Sequence, residues 1–97
     1  MSGSTRSSEG LDPRRRRALF RAWHRGMREV DLIMGRFADA HIGDLSEAEL
    51  GAFEQLLDVP EPVLYAWVTG EEAAPESHDT PLFRRMRDFR TGEGAGG

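Results

Sequence analysis

Leu45-Ser46-Glu47-Ala48-Glu49-Leu50-Gly51-Ala52-Phe53-Glu54-Gln55-Leu56-Leu57 decides the fold. Ser46 has the short oxygen-bearing side chain of a helix N-cap. Glu49 stands three residues on, where a capping-box partner belongs, and Leu45 and Leu50 take the two positions of a hydrophobic staple. Beyond that start, Leu50, Phe53, Leu56 and Leu57 recur at the three- and four-residue spacing of one helical face. A helix with a single apolar stripe is stable only against other such stripes, so the flanking segments must supply them.

Towards the C-terminus, Asp58-Val59-Pro60-Glu61-Pro62 ends this helix, because proline lacks an amide hydrogen and disfavours helix in the residue before it. Pro62 then opens a short helix carrying Leu64, Tyr65, Trp67 and Val68, stopped at Gly70. Residues 71–79 read as a linker. Thr80-Pro81 repeats the cap-then-proline signal, and Leu82, Phe83, Met86 and Phe89 make a C-terminal helix over 80–90 with an arginine-rich polar face. Towards the N-terminus, Met27, Val30, Ile33, Met34, Phe37 and Ala38 share one side of a helix that ends near His41-Ile42-Gly43. Gly26 divides it from a first helix that starts at Asp12-Pro13, runs to His24 or Arg25, and has Leu19, Phe20 and Trp23 as its apolar stripe. No segment shows sustained two-residue alternation. The expectation is an all-α, compact small bundle of about five helices: a four-helix core at 12–70, a linker at 71–79 and a last helix at 80–90. The tails, 1–11 and 91–97, are Ser, Gly and charge, and are expected to be disordered.

The chain has 97 residues, 38% of them hydrophobic and 31% charged, enough for one modest core and too few for two. Without cysteine there is no disulfide framework, thiolate nucleophile or cysteine-ligated metal. No run approaches the roughly 18 apolar residues of a membrane span, and the N-terminus lacks the apolar region of a secretory signal. A cytoplasmic chain without stable membrane insertion is expected. His24, His41 and His78 do not fall at ligand or acid–base spacing; four residues after His24 stands Arg28, a cation where a second ligand would be needed. There is no glycine-rich phosphate loop, HExxH or nucleophile elbow. These observations predict a protein that is not an enzyme and holds no metal.

Charge is segregated along the chain. Residues 1–36 hold nine arginines and four acids, residues 37–83 hold eleven acids and no base, and residues 84–97 hold four arginines and two acids. Arg14-Arg15-Arg16-Arg17 with Arg21, Arg25 and Arg28 is compatible with phosphate contacts. It is equally compatible with a helix face that pairs with the acidic middle third. The acidic remainder of the surface and the lack of an aromatic pattern among the arginines argue against nucleic acid. A cationic patch meeting an acidic protein partner fits better.

The junction Trp23-His24-Arg25-Gly26-Met27-Arg28-Glu29 admits two readings. On structural grounds, Gly26 permits a sharp turn, Glu29 sits in a first turn where the helix dipole favours negative charge, and Arg25 lies beside the negative end of the previous helix. On functional grounds, a backbone without a side chain, flanked by an arginine and a carboxylate, permits the close approach of another chain.

Arg25-Gly26-Met27-Arg28-Glu29 matches the RGxxE motif and resembles the FAD assembly factors of succinate dehydrogenase, the SdhE family. The likeness extends over residues 14–70. It includes the arginine run leading to Phe20, then Asp31, Phe37 and Ala38, Leu45-Ser46, Glu49-Leu50, Phe53, Leu56-Leu57, Pro60, and the Pro62-x-x-Tyr65-x-Trp67 ending. Trp23-His24 and the segment from Thr80 to Phe89 resemble the alphaproteobacterial branch; members with a double arginine before the glycine differ at His24.

The resemblance implies a five-helix protein that binds the flavoprotein subunit of succinate dehydrogenase, with fumarate reductase as a further client. It also implies that this protein promotes covalent attachment of FAD to a client histidine. The bond forms within the client, so no cofactor is expected to be held stably here; the FAD is the client's. Arg25, Gly26, Met27, Arg28, Glu29 and Asp31 carry over as partner-binding residues. A monomer is the default expectation. An antitoxin-like role, an arginine-rich nucleic-acid-binding role and a flavin-carrier role are the alternatives. Tyr65 and Trp67 fit a core role better than flavin stacking.

Overall fold

The local capping signals translate directly into helix starts in the computed structural model, which describes residues 10–89. Asp12 accepts a hydrogen bond from the Arg15 amide at 3.3 Å, and α1 (Pro13–Trp23) begins behind it. α2 (Arg28–His41) follows the glycine junction. At α3 (Glu47–Leu57) the Ser46 hydroxyl accepts from the Glu49 amide at 3.1 Å while the Glu49 carboxylate accepts from the Ser46 amide at 2.8 Å, so the capping box is complete. α4 (Glu61–Thr69) has proline in its first turn and ends on Gly70 at φ 85°. α5 (Pro81–Phe89) opens with the Phe83 amide donating to the Thr80 hydroxyl at 3.1 Å. There is no strand among the described residues, and the all-α five-helix expectation holds.

α2 is the centre of the bundle, touching α1, α4 and α5, and α3 packs against α1 and α5. Phe37, Met34, Phe53, Leu50, Phe83 and Met86 are fully buried at the common core. Each such side chain contributes about 1.5–3 kcal/mol through removal from water. Because Leu82, Phe83 and Met86 are buried with the others, α5 shares this core. Its Phe89 ring meets those of Phe37 at 5.7 Å and His41 at 5.5 Å.

Two expectations need correction. Phe20 does not belong to the buried stripe of α1: it is 63% exposed, and the stripe is Ala18, Leu19, Ala22 and Trp23. At about 100° per residue, Ala18, Leu19, Ala22 and Trp23 share one arc of the helix, and Phe20 falls outside it. Leu11, assigned to the N-terminal tail, is buried in the core just ahead of the Asp12 cap. The rest of that tail, apart from Gly10, lies outside the described residues, as do Arg90 and the C-terminal tail.

One contact in the core was not foreseen. Gly35, in the middle of α2, is where the Trp23 indole lies directly on the helix: a Cβ there would be 2.4–2.7 Å from three carbons of the ring. The indole nitrogen donates to Asp39 at 3.2 Å, one helical turn further on. A glycine within a helical pattern costs about 1 kcal/mol relative to alanine, which is the sequence signal that a packing reason exists.

Candidate functional site

The site is built on the end of α1. The first four residues of a helix leave amides and the last four leave carbonyls without intrahelical partners, and cations are favoured at the carbonyl end. α3 has no basic residue in its last turn. Arginines of α1 supply that charge. Arg21 donates to the Leu57 carbonyl at 3.2 Å and pairs with Asp58 at 3.0 Å. Arg25 donates through its two terminal nitrogens to the carbonyls of Leu57 and Val59, and one of them lies 3.4 Å from the Glu61 carboxylate. Near the other end of α1, Arg15 treats α2 likewise, donating to the carbonyls of Ile42 at 3.1 Å and Leu45. Arg14 completes the strap, holding Glu54 at 2.7 Å and Glu47 at 2.8 Å. The N-terminal arginines and the acidic middle third therefore meet within the fold.

The Arg25 side chain is only 6% exposed, and burial pulls its guanidinium pKa below the ordinary arginine value, opposed by the Glu61 charge. Its Nε is also buried and has no partner among the described residues. The backbone of the same residue is fixed separately, because the Arg25 amide donates to the Asp31 carboxylate at 2.7 Å. Two of the six residues expected to bind a partner thus fasten the junction by polar contacts inside this chain: Arg25 to the α3–α4 corner and Asp31 to α2.

The other four present themselves differently. Gly26 is exposed, adopts φ 107°, and has nothing within 4 Å of the place its Cβ would occupy. Met27 is half-buried against the core, while Arg28 and Glu29 are exposed in the first turn of α2. Neither Arg28 nor Glu29 has an ion pair among the described residues. The corner is a bare stretch of backbone followed by a cation and an anion, held from beneath by bonds that do not use its outer surface. Among the described residues no group of three or more His, Asp or Glu side chains is arranged to hold a metal, and no helix is long and apolar enough to cross a membrane.

A small helical bundle with a charged, backbone-exposed corner is a protein suited to contact with another chain. Residues 16–90 match the family described as flavinator of succinate dehydrogenase, and the chain belongs to that family. It is 40% identical over 88% of its length to a protein of Acetobacter pasteurianus named as an FAD assembly factor, spanning 78% of that protein. It is 34% identical over 86% of its length to a mitochondrial succinate dehydrogenase assembly factor of Meyerozyma guilliermondii, and 31% identical over 79% to one of Dictyostelium discoideum. It spans 58% and 55% of those two mitochondrial relatives. No solved structure matches it significantly.

Proposed function

We propose that this protein is an assembly factor that binds the flavoprotein subunit of succinate dehydrogenase and promotes covalent attachment of FAD to it. The observation that carries the reading is the Gly26–Glu29 corner, open above and anchored below, in a chain of the flavinator family. Gly26 lets the client backbone approach, and Arg28 and Glu29 offer charged hydrogen bonds of both signs. Arg25 and Asp31 act as positioning residues that hold the corner in its binding posture.

The factor works as a chaperone in the cytoplasm. It binds best to the client conformation in which flavin and histidine are aligned, and so raises the population of that conformation. The FAD belongs to the client throughout, and fumarate reductase is a second client of the same kind. A monomer suffices, since one corner makes the contact.

The test is covalent flavin on the flavoprotein subunit, read by in-gel fluorescence, in cells lacking this protein and complemented with wild type or Glu29→Ala. Loss in the deletion, rescue by wild type and failure of a stably folded Glu29→Ala are expected. Normal flavin attachment in the deletion strain would overturn the reading.

A further inference from the structure

Outside the corner, the side chain whose position is least explained by folding is Phe20. Among the described residues only Phe20 and Val63 are large hydrophobics left exposed, at 63% and 38%. An exposed phenylalanine is unremarkable when it is loose, but this one is fixed. Its ring stacks on His24 at 4.0 Å between centroids and 15° between planes, and a ring nitrogen of His24 donates to the Phe20 carbonyl at 2.7 Å. An aromatic ring already held in place loses little further freedom on binding.

The surroundings of the stack are cationic. Positions 16, 17, 20 and 24 are neighbours on one face of a helix, a stripe about 12 Å long at 1.5 Å per residue. Arg16 and Arg17 are exposed there and make no direct ion pair among the described residues, and Arg17 feels the Glu54 charge only at longer range. Arg14, Arg15, Arg21 and Arg25, by contrast, are all engaged with acids or carbonyls of this chain. The stripe ends at His24, and the chain passes from it straight into Arg25-Gly26.

We propose that the outer face of α1, centred on the Phe20–His24 stack and flanked by Arg16 and Arg17, continues the docking surface of the Gly26–Glu29 corner. There it receives an apolar slot rimmed by carboxylates on the flavoprotein subunit. The inference rests on the assembly-factor reading and deepens it by adding a hydrophobic anchor to a site that otherwise offers only backbone and charge. An aromatic set among arginines is the composition of an interface hot spot. A membrane surface fits less well, because α1 has no second large apolar side chain on this face to insert: Leu19 and Trp23 are buried.

The experiment is a binding titration of the full-length protein against purified flavoprotein subunit lacking covalent flavin, with vesicles of anionic phospholipid as a parallel arm. Phe20→Ala should weaken Kd about tenfold or more, as loss of an aromatic anchor does, with an unchanged melting temperature. Phe20→Tyr, which keeps the ring, should bind close to wild type. Replacing Arg16 and Arg17 together by alanine should slow association and flatten its salt dependence. If wild type binds the subunit and Phe20→Ala binds it equally well, the anchor is refuted and the assembly reading survives. Failure of wild type to bind at all would refute both. Phe20-dependent binding to vesicles with subunit binding unaffected would also overturn the proposal, in favour of a lipid surface.

Discussion

Gly26 and Gly35 lie nine positions apart and lack the same side chain for opposite reasons. Gly35 faces inward, in regular helix, and a Cβ would collide with the Trp23 indole at 2.4 Å. Gly26 faces outward, where a Cβ would meet nothing within 4 Å, and its φ of 107° is one that residues with a side chain rarely adopt. Gly35 shapes the core that carries the site; Gly26 shapes the site. A chain of this size can therefore lose its function by two separable routes, one through stability and one at constant fold.

The largest effect should come from closing the inner gap. Gly35→Ala forces the indole or α2 to move, an overpacking expected to cost about 2–3 kcal/mol. For a domain of this length that corresponds to a fall in melting temperature on the order of 10–20 °C. Thermal unfolding followed by circular dichroism measures it, and a wild-type melting curve would show that the seam between α1 and α2 yields easily.

Next comes the outer glycine. Gly26→Ala meets no steric obstacle and should cost about 1–2 kcal/mol, the penalty for a side chain in left-handed backbone. Gly26→Arg should cost a similar amount and yet abolish flavin attachment, because the new side chain fills the space a partner needs. If Gly26→Arg unfolded the protein, the division between the two glycines would collapse.

A third glycine sharpens the contrast by reversing its sign. Gly51 lies within α3, where a Cβ would find only the Arg14 guanidinium at an ordinary 3.8 Å. Gly51→Ala should stabilise the fold by about 0.5–1 kcal/mol through the lower entropy of the unfolded chain. A denaturant titration showing no gain would mean that the Arg14 contacts with Glu47 and Glu54 had been disturbed.

Acid should make the smallest difference, and make it unevenly. The Arg14 guanidinium holds the Glu54 carboxyl below its ordinary value, and the Ser46 amide, with Arg85, does the same for Glu49. Both pKa values are lowered by folding, so their stabilisation is present above about pH 4.5, the ordinary carboxyl value, and fades as pH falls through the lowered values. The bonds from Arg25 to main-chain carbonyls have no such titration. As pH falls below the ordinary carboxyl value, amide exchange corrected for its intrinsic pH dependence should therefore rise at Glu49 and Leu50 in the first turn of α3 before it rises at Asp58 and Val59, in the α3–α4 corner that the Arg25 guanidinium holds.

Much of this was written locally. The Ser46–Glu49 box, Asp12-Pro13 and Thr80-Pro81 each act within a single turn, so the sequence announces those helix starts, and Gly26 announces the break. Gly26 and Glu29 were legible as the outer part of the candidate site for the same reason. What was hidden depends on partners far along the chain. Arg25 reads as a surface charge until α3 brings its last carbonyls to it, and Gly35 reads as a weak point in a helix until Trp23 packs there. Phe20 reads as core beside Leu19 and Trp23 because the sequence does not say that the buried face is completed by Ala18 and Ala22 instead.

The attachment of Arg25 to the carbonyls of Leu57 and Val59 reaches across 32 and 34 positions of sequence. In genetic terms, the motif is therefore not a single locus. An allele that alters the corner at residues 57–61 would be scored as a defect of residues 25–29, and suppressors of a weak Glu29 allele belong at that corner as much as beside the motif itself.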